Sequence, residues 1–400
     1  MNSNLKKRIS IFIIIISMIG VVIFVFAFSS VLFGDRINIP VSGMTIAVGG
    51  TSSYVIKPDG TLWAWGGNEF GQIGNGTYET QYSPIRVMRN IVAVTASNEK
   101  IMALRSDGSV WSWGMRGEQM NNASDISHLT PVRILDNVRH ISTSNSHRVA
   151  IKTDGSLWTW GTPYGLTHDG YFVAHYSTPI HKMDDVVYAS AGFDYTAAIK
   201  ADGSLWTWGR GRIEPQQMME DVKHVSVGHE YVLVIKNDGS LWGWGSNNFA
   251  QLSDEVSRYH SSPIKIMEDV SFVVAGDKNV MAIRTDGSLW GWGDNFFGQL
   301  GNGNFEPSLY PIKIMDDVVY VSLLRGRTSD IHVMAIKTDG SLWAWGCNRF
   351  GQLQGGFTPE SYFIERYYAQ GYPRHRAVNI PIKIMESVMM PVSRIINSDN

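Results

Sequence analysis

Asp286-Gly287-Ser288-Leu289-Trp290-Gly291-Trp292-Gly293 decides the fold of this chain, because near copies of it recur from one end to the other. The Asp-Gly pair returns at Asp59, Asp107, Asp154, Asp202, Asp238, Asp286 and Asp339, at spacings of 48, 47, 48, 36, 48 and 53 residues. A period in that range belongs to stacked supersecondary units or propeller blades. All 14 tryptophans fall in seven Trp-x-Trp-Gly copies, Trp63/Trp65, Trp111/Trp113, Trp158/Trp160, Trp206/Trp208, Trp242/Trp244, Trp290/Trp292 and Trp343/Trp345. Asp-Gly between two apolar runs signals a β-hairpin, since glycine accepts the positive φ that the turn demands. Tryptophans two residues apart share one face of a strand, and the residue between them is always small: Ala64, Ser112, Thr159, Thr207, Gly243, Gly291 or Ala344. A sheet with one bulky and one flat face suits face-to-face stacking, which makes both tryptophans of a copy core residues between units.

The unit extends in both directions. Ahead of the turn lie a strand such as 270–276 and a second ending in Ile283-Arg284; after Trp-x-Trp-Gly come a loop, 295–303, and a fourth strand through Pro311-Ile312-Lys313-Ile314. Proline is expected to open that last strand in every copy, at Pro84, Pro131, Pro179, Pro215, Pro263, Pro311 and Pro381, where a missing N–H is tolerated. Seven units of four short strands read as an all-β, seven-bladed propeller.

The run Asp-Gly-Ser-Leu-Trp-x-Trp-Gly-x-Asn-x-x-Gly-Gln-Leu-Gly, nearly entire from Asp286 to Gly301 and again from Asp59 to Gly74, resembles the regulator of chromosome condensation repeat. The resemblance covers roughly residues 44 to 390 and implies the seven-bladed fold. It implies less about activity, because blades of one kind host unrelated partners. The founding member is a nuclear guanine-nucleotide exchange factor acting on chromatin. Secreted inhibitors of β-lactamases are built on a similar propeller, although no inhibitor-specific residue carries over.

Composition bounds the remaining choices. The formal charge of -2 leaves no basic footprint for nucleic acid, which is therefore not an expected partner. One cysteine, Cys347, excludes an intramolecular disulfide and a multi-cysteine metal site, and reads as a small buried residue. Lys6-Lys7-Arg8 precedes an uncharged run from Ile9 to Phe33. A helix of that length reaches about 37 Å, enough to cross a hydrocarbon core of about 30 Å. The expected layout is a cytoplasmic segment 1–8, a transmembrane signal anchor 9–33, a linker 34–43 and a propeller 44–396 outside the cytoplasm. Cleavage after Ala27-Phe28-Ser29 is the alternative, disfavoured because a signal core usually runs about 7 to 15 residues. An exported domain is at odds with the founding member's nuclear roles.

The chain holds no His-Glu-x-x-His helix, phosphate loop, Gly-x-Ser-x-Gly elbow or calcium loop, so no catalytic residue, cofactor or metal is assigned. Pairs such as Asp184/Asp185 and Asp316/Asp317 read as solvated turns, and His147 and His229 as structural residues near the start of a second strand. Gln72, Gln119, Gln251, Gln299 and Gln352 are expected to tie the long loop to nearby backbone; the third and fourth copies lack that glutamine.

The seventh copy departs by excess, with 35 positions from Gly346 to Pro381 against 18 in the sixth from Gly293 to Pro311. The insertion, 354–379, carries Phe357, Tyr362, Phe363, Arg366, Tyr367, Tyr368, Tyr372, Arg374, His375 and Arg376, and an earlier one carries Arg325 and Arg327. Aromatic and arginine residues are enriched at interface hot spots. Loops after strands one and three leave an up-down blade by the same end, so both insertions are expected on one face. The function expected from these residues is an extracytoplasmic protein-binding module. An envelope polysaccharide stacked on the loop aromatics, or an enzyme with an axial site, are the competing readings.

Overall fold

Each Asp-Gly copy closes a hairpin through a three-residue loop. In the first copy Gly60 N–H donates to Lys57 O and Lys57 N–H to Thr61 O, with Gly60 at φ 75°, so a tight turn is followed by a left-handed glycine. Asp59 Oδ1 accepts from both the N–H and the hydroxyl of Thr61, and that hydroxyl accepts the Trp63 indole N–H. The same relay recurs at Asp107, Asp154, Asp202, Asp238, Asp286 and Asp339 with serine in the threonine position.

The computed structural model describes residues 45–114, 128–161, 176–209, 212–252, 257–324, 331–354, 377–386 and 388. Within them lie seven four-stranded antiparallel sheets, each of four consecutive strands. In blade six these are Val270–Ala275, Asn279–Arg284, Leu289–Gly293 and Ser308–Met315. Blades one to seven span 46–88, 91–135, 138–183, 186–219, 222–267, 270–315 and 318–385. First strands contact the first strands of both neighbours, blade seven against blade one included, so the ring is closed around an axis that these strands line.

The core lies between blades. One cluster joins Leu233, Leu241 and Leu252 of blade five to Val270, Val273 and Trp292 of blade six; another joins Ala64 and Ile73 of blade one to Ile101 and Trp113 of blade two. The bulky face of each blade therefore fills the flat face of the blade before it. The second tryptophan of a pair is the more deeply buried, while first tryptophans such as Trp63 and Trp343 pack at the edge of these clusters. Trp65, Trp113, Trp208, Trp292 and Trp345 are sealed, whereas the first of each pair, Trp290 among them, is half-buried under a cation from strand two, such as Lys57 at 4.0 Å from the Trp63 ring. Trp290 is thus less buried than Trp292, so the expectation that both tryptophans are core residues holds more fully for the second of the pair.

The prolines are a second correction. Pro311 is the fourth residue of Ser308–Met315 and Pro84 the fourth of Gln81–Met88, inside the strand and not at its start. Strand four is the outer edge and pairs on one side only, and its register shifts at this point, Ala64 facing Ile85 and Gly66 facing Gln81. A bulge on an edge strand leaves the proline no N–H to supply. It also blunts the edge against further pairing.

Connectors are clamped between successive hairpins. Ile91 N–H donates to Gly60 O and Ser106 N–H to Asn90 O, and the same two bonds recur from blade to blade. At the last connector Val388 N–H donates to Gly340 O. Val388 is 1% exposed and packs with Ile46 and Val48 of blade one and Met334 and Leu342 of blade seven. One residue of the C-terminal chain therefore packs into the junction between blades seven and one. Residues 9–33 lie outside the described residues, and among those described no helix is long and apolar enough to cross a membrane.

Candidate interaction face

The long loop after strand three is built by its asparagine and glutamine. In blade six Asn295 Oδ1 accepts the Leu300 N–H at 2.8 Å, and Gln299 Oε1 accepts the Phe297 N–H at 2.8 Å. Gln72, Gln251 and Gln352 bind the N–H of Phe70, Phe249 and Phe350 alike. The glutamine carbonyl then receives the sealed tryptophan of the next blade: Trp113 on Gln72, Trp292 on Gln251, Trp345 on Gln299, and Trp65 on Gln352 across the ring seam, at 2.8 to 3.0 Å. Glycine is required where that indole approaches, since a Cβ on Gly301 would stand 2.8 Å from Trp345 Nε1 at φ +67°. The glutamine signature is thus a latch between blades. Where blade three lacks it, Trp208 is fully buried and its Nε1 has no partner among the described residues.

What these loops present outward is aromatic. Phe70, Phe249, Phe297 and Phe350 hold one position, two before the glutamine, in four consecutive blades (five, six, seven and one). Phe249 is 40% exposed with Lys278 Nζ 4.6 Å above its ring; Arg349 lies 5.1 Å from the Phe350 ring; Phe296, also exposed, meets Phe297 edge-on at 4.8 Å. The Phe-x-Gln triplet was present in the sequence, and reading outward from the glutamine would have found it.

The sequence-assigned residues Arg325, Arg327, Phe357, Tyr362, Phe363, Arg366, Tyr367, Tyr368, Tyr372, Arg374, His375 and Arg376 lie outside the described residues, as do Gln119 and most of segment 354–379. The residues flanking both insertions are described. Leu323 pairs with Val333, His332 with Gly346, and Cys347 with Ala377, all at one end of blade seven and at the end that carries the glutamine loops.

The axis holds an arrangement that the sequence reading missed. His140, Tyr188, His224, Phe272 and Tyr320, from the first strands of blades three to seven, touch ring to ring at centroid distances of 4.7, 5.2, 5.0 and 5.1 Å. His140 and His224 bond the carbonyls of Ala189 and Val273 in the next blade. Ser142, Ser190 and Ser226 accept the N–H of Ala191, Val227 and Ala275 one blade on. These groups are consumed in stitching blades together.

His147 is likewise structural: it is sealed, Nε2 meets Thr196 Oγ1 at 2.7 Å, and burial, aided by Arg148 and Lys100, pushes its pKa down to about 3. Its counterpart is His332, bonded to Ser53 at 2.7 Å across the seam, while His229 sits in the turn before strand two. Asp185 and Asp317 have φ of 62° and 65°, the second turn residue of their connectors, and Asp184 and Asp316 pair with His181 and Lys313. Cys347 is buried and free of disulfide. Among the described residues no group of three or more His, Cys, Asp or Glu side chains could hold a metal ion.

Comparison with known proteins agrees with this geometry. The model of the regulator of chromosome condensation (RCC1) repeat matches residues 59–104 and 286–323, and a second model of the same description matches 45–72, 222–251, 270–299 and 332–352. Yeast RCC1 (Prp20), solved bound to Kap60, superposes with a TM-score of 0.67 at 18% identity, covering 85% of each chain. Human WBSCR16 gives 0.64 at 16% identity, covering 83% of this chain and 94% of that one. Among curated proteins, the human probable E3 ubiquitin-protein ligase HERC4 is 30% identical over 89 residues, which is 21% of this chain and 8% of HERC4. Human HERC2 is 33% identical over 75 residues, 17% of this chain and 2% of HERC2.

Proposed function

Because the chain is a propeller of regulator of chromosome condensation repeats, we propose that it is a protein-binding module that takes its partner on the glutamine-loop face of blades five, six, seven and one. The observation that carries this reading is the run of Phe249, Phe297, Phe350 and Phe70 at one loop position, with Lys278 and Arg349 beside it. Phe249 is exposed and the other three are partly buried, and aromatics with neighbouring cations make contact surfaces of this kind. The described residues that flank both blade-seven insertions, Leu323, His332, Cys347 and Ala377, lie at this end of the blade. A structure of yeast Prp20p is described with its binding to Gsp1p and histones, so a propeller of this type takes protein ligands. Residues 9–33 anchor the module in a membrane with the propeller beyond the cytoplasm, a reading supported by the uncharged run behind Lys6-Lys7-Arg8.

A photoreactive residue at Phe249 should give a protein adduct, and the adduct should disappear when Phe350→Ser is combined with deletion of 357–376. Adducts that arise only from Pro58, on the opposite face, would overturn the choice of face, and a polysaccharide adduct would replace the protein partner by a glycan. Protease added to spheroplasts should degrade the propeller, whereas full protection would remove the exported topology and leave the binding face in place.

A further inference from the structure

We propose that blade one carries a site for a phosphate group, formed by Lys57, Arg86 and Arg89 around the half-buried indole of Trp63. The other six blades act as internal controls. In each of them the strand-four residue opposite the first tryptophan is joined to an acid three residues on. The pairs are Arg133–Asp136, His181–Asp184 at 2.8 Å, Lys265–Glu268, Lys313–Asp316 at 2.7 Å and Lys383–Glu386 at 2.6 Å, and in blade four Gln217 donates to Glu220 at 3.3 Å. Blade one has Arg86 facing Trp63 and Arg89 in the acid's place, both exposed and neither with an ion-pair partner among the described residues. A fold that gives this position an acid partner six times and a second cation once is not using the doubled charge for packing.

Geometry gathers the three cations. Lys57 Nζ stands 4.0 Å over the Trp63 ring, Arg86 is the cross-strand partner of Trp63, and Arg89 follows Met88, the partner of Leu62. The next residue's carbonyl, Asn90 O, is fixed by Ser106 N–H, so Arg89 projects from a clamped turn. The surrounding charge sharpens the contrast. Connectors leaving blades three to six are acid pairs, Asp184-Asp185, Glu220-Asp221, Glu268-Asp269 and Asp316-Asp317, whereas the connector leaving blade one is Arg89-Asn90. Asp59 is the single acid of blade one's turn and connector, against three acids in each of blades three to six.

Guanidinium groups match phosphate oxygens in paired hydrogen bonds, and two of them with an ammonium fit one phosphate group better than a monovalent carboxylate. Three cations are too few to track a nucleic-acid backbone. The phosphate can be free or part of a lipid headgroup. The full chain in uncharged detergent is titrated with inorganic phosphate and, separately, with glycerophosphoglycerol as a tail-free headgroup. Binding of inorganic phosphate alone assigns a free anion; binding of the diester as well assigns a headgroup. Arg89→Asp, which gives blade one the pattern of its six siblings and so preserves folding, should weaken binding at least tenfold without lowering Tm. Asp136→Arg, the reverse change in blade two, should add a second site. No binding by the wild type, or unchanged affinity in Arg89→Asp, would overturn the proposal.

Discussion

At the scale of single residues, the two tryptophans of a copy have different jobs. Trp292 is sealed and bonded to the neighbouring blade, so Trp292→Ala should cost about 3 to 5 kcal/mol, the range for emptying a large aromatic site in a core. Trp290 is half-buried, and Trp290→Ala should cost roughly half of that. Urea denaturation of the two variants side by side checks the order; equal losses would contradict the packing. Identity alone could not separate them, because both read as bulky members of one strand face. His147 gives a second residue-scale expectation. Its pKa of about 3 lies below the 6.5 of an exposed imidazole, so the unfolded chain takes up its proton first. The stability tied to a neutral His147 is complete above about pH 6.5 and drains as pH falls toward 3, by an amount on the order of a few kcal/mol. His147→Gln should flatten the denaturation midpoint between pH 6.5 and 4 relative to wild type.

At the scale of the element, each hairpin turn is held by an aspartate that accepts two hydrogen bonds from the serine or threonine two residues on. Those bonds favour the carboxylate and hold all seven turn aspartates below their ordinary 3.8. A depressed carboxylate stabilises the fold above its unfolded pKa and loses that contribution as pH falls through the folded one. Seven equivalent groups should therefore make acid unfolding steep below about pH 4. Asp286→Asn keeps an acceptor for Ser288 and removes the charge, so it should reduce the proton uptake of that transition; an unaltered slope would contradict the linkage. In the long loop, Gly301→Ala should destabilise by about 2 kcal/mol or more, since positive φ and the Trp345 indole both oppose a side chain.

The element scale also marks what sequence could and could not reveal. Hairpin, small residue and glutamine loop were legible because each repeats seven or nearly seven times, and repetition exposes a physical requirement. The position of the prolines was not, because a bulge inside an edge strand leaves no mark beyond the proline itself. The arc from His140 to Tyr320 was hidden for another reason: its members differ chemically from blade to blade, and only the ring places them in contact. The phenylalanine face was half legible, since the triplet repeats but its exposure does not follow from spacing.

For the whole molecule, closure depends on the seam between blades seven and one. The seam has the same tryptophan latch as other junctions, Trp65 on Gln352, plus His332 on Ser53 and Val388 set into the core. Val388→Asp should put an unpaired carboxylate among Ile46, Met334 and Leu342, and lower stability by about 3 kcal/mol or more. Hydrogen exchange should accelerate first in Ile46–Val48 and Val318–Leu323, the first strands that meet at the seam. Uniform acceleration around the ring would mean that the blades open together and that the seam is no weaker than the rest.

Closure at the seam between blades seven and one also orders events during synthesis. As the chain leaves the ribosome from its N-terminus, each blade can dock on its predecessor as soon as its own four strands are out, but the flat face of the newest blade and the bulky face of blade one stay uncovered until blade seven arrives. The nascent protein is an open crescent with two sticky ends until blade seven meets blade one through Gln352, His332 and the cluster that includes Val388. A message truncated before blade seven would release crescents able to join end to end.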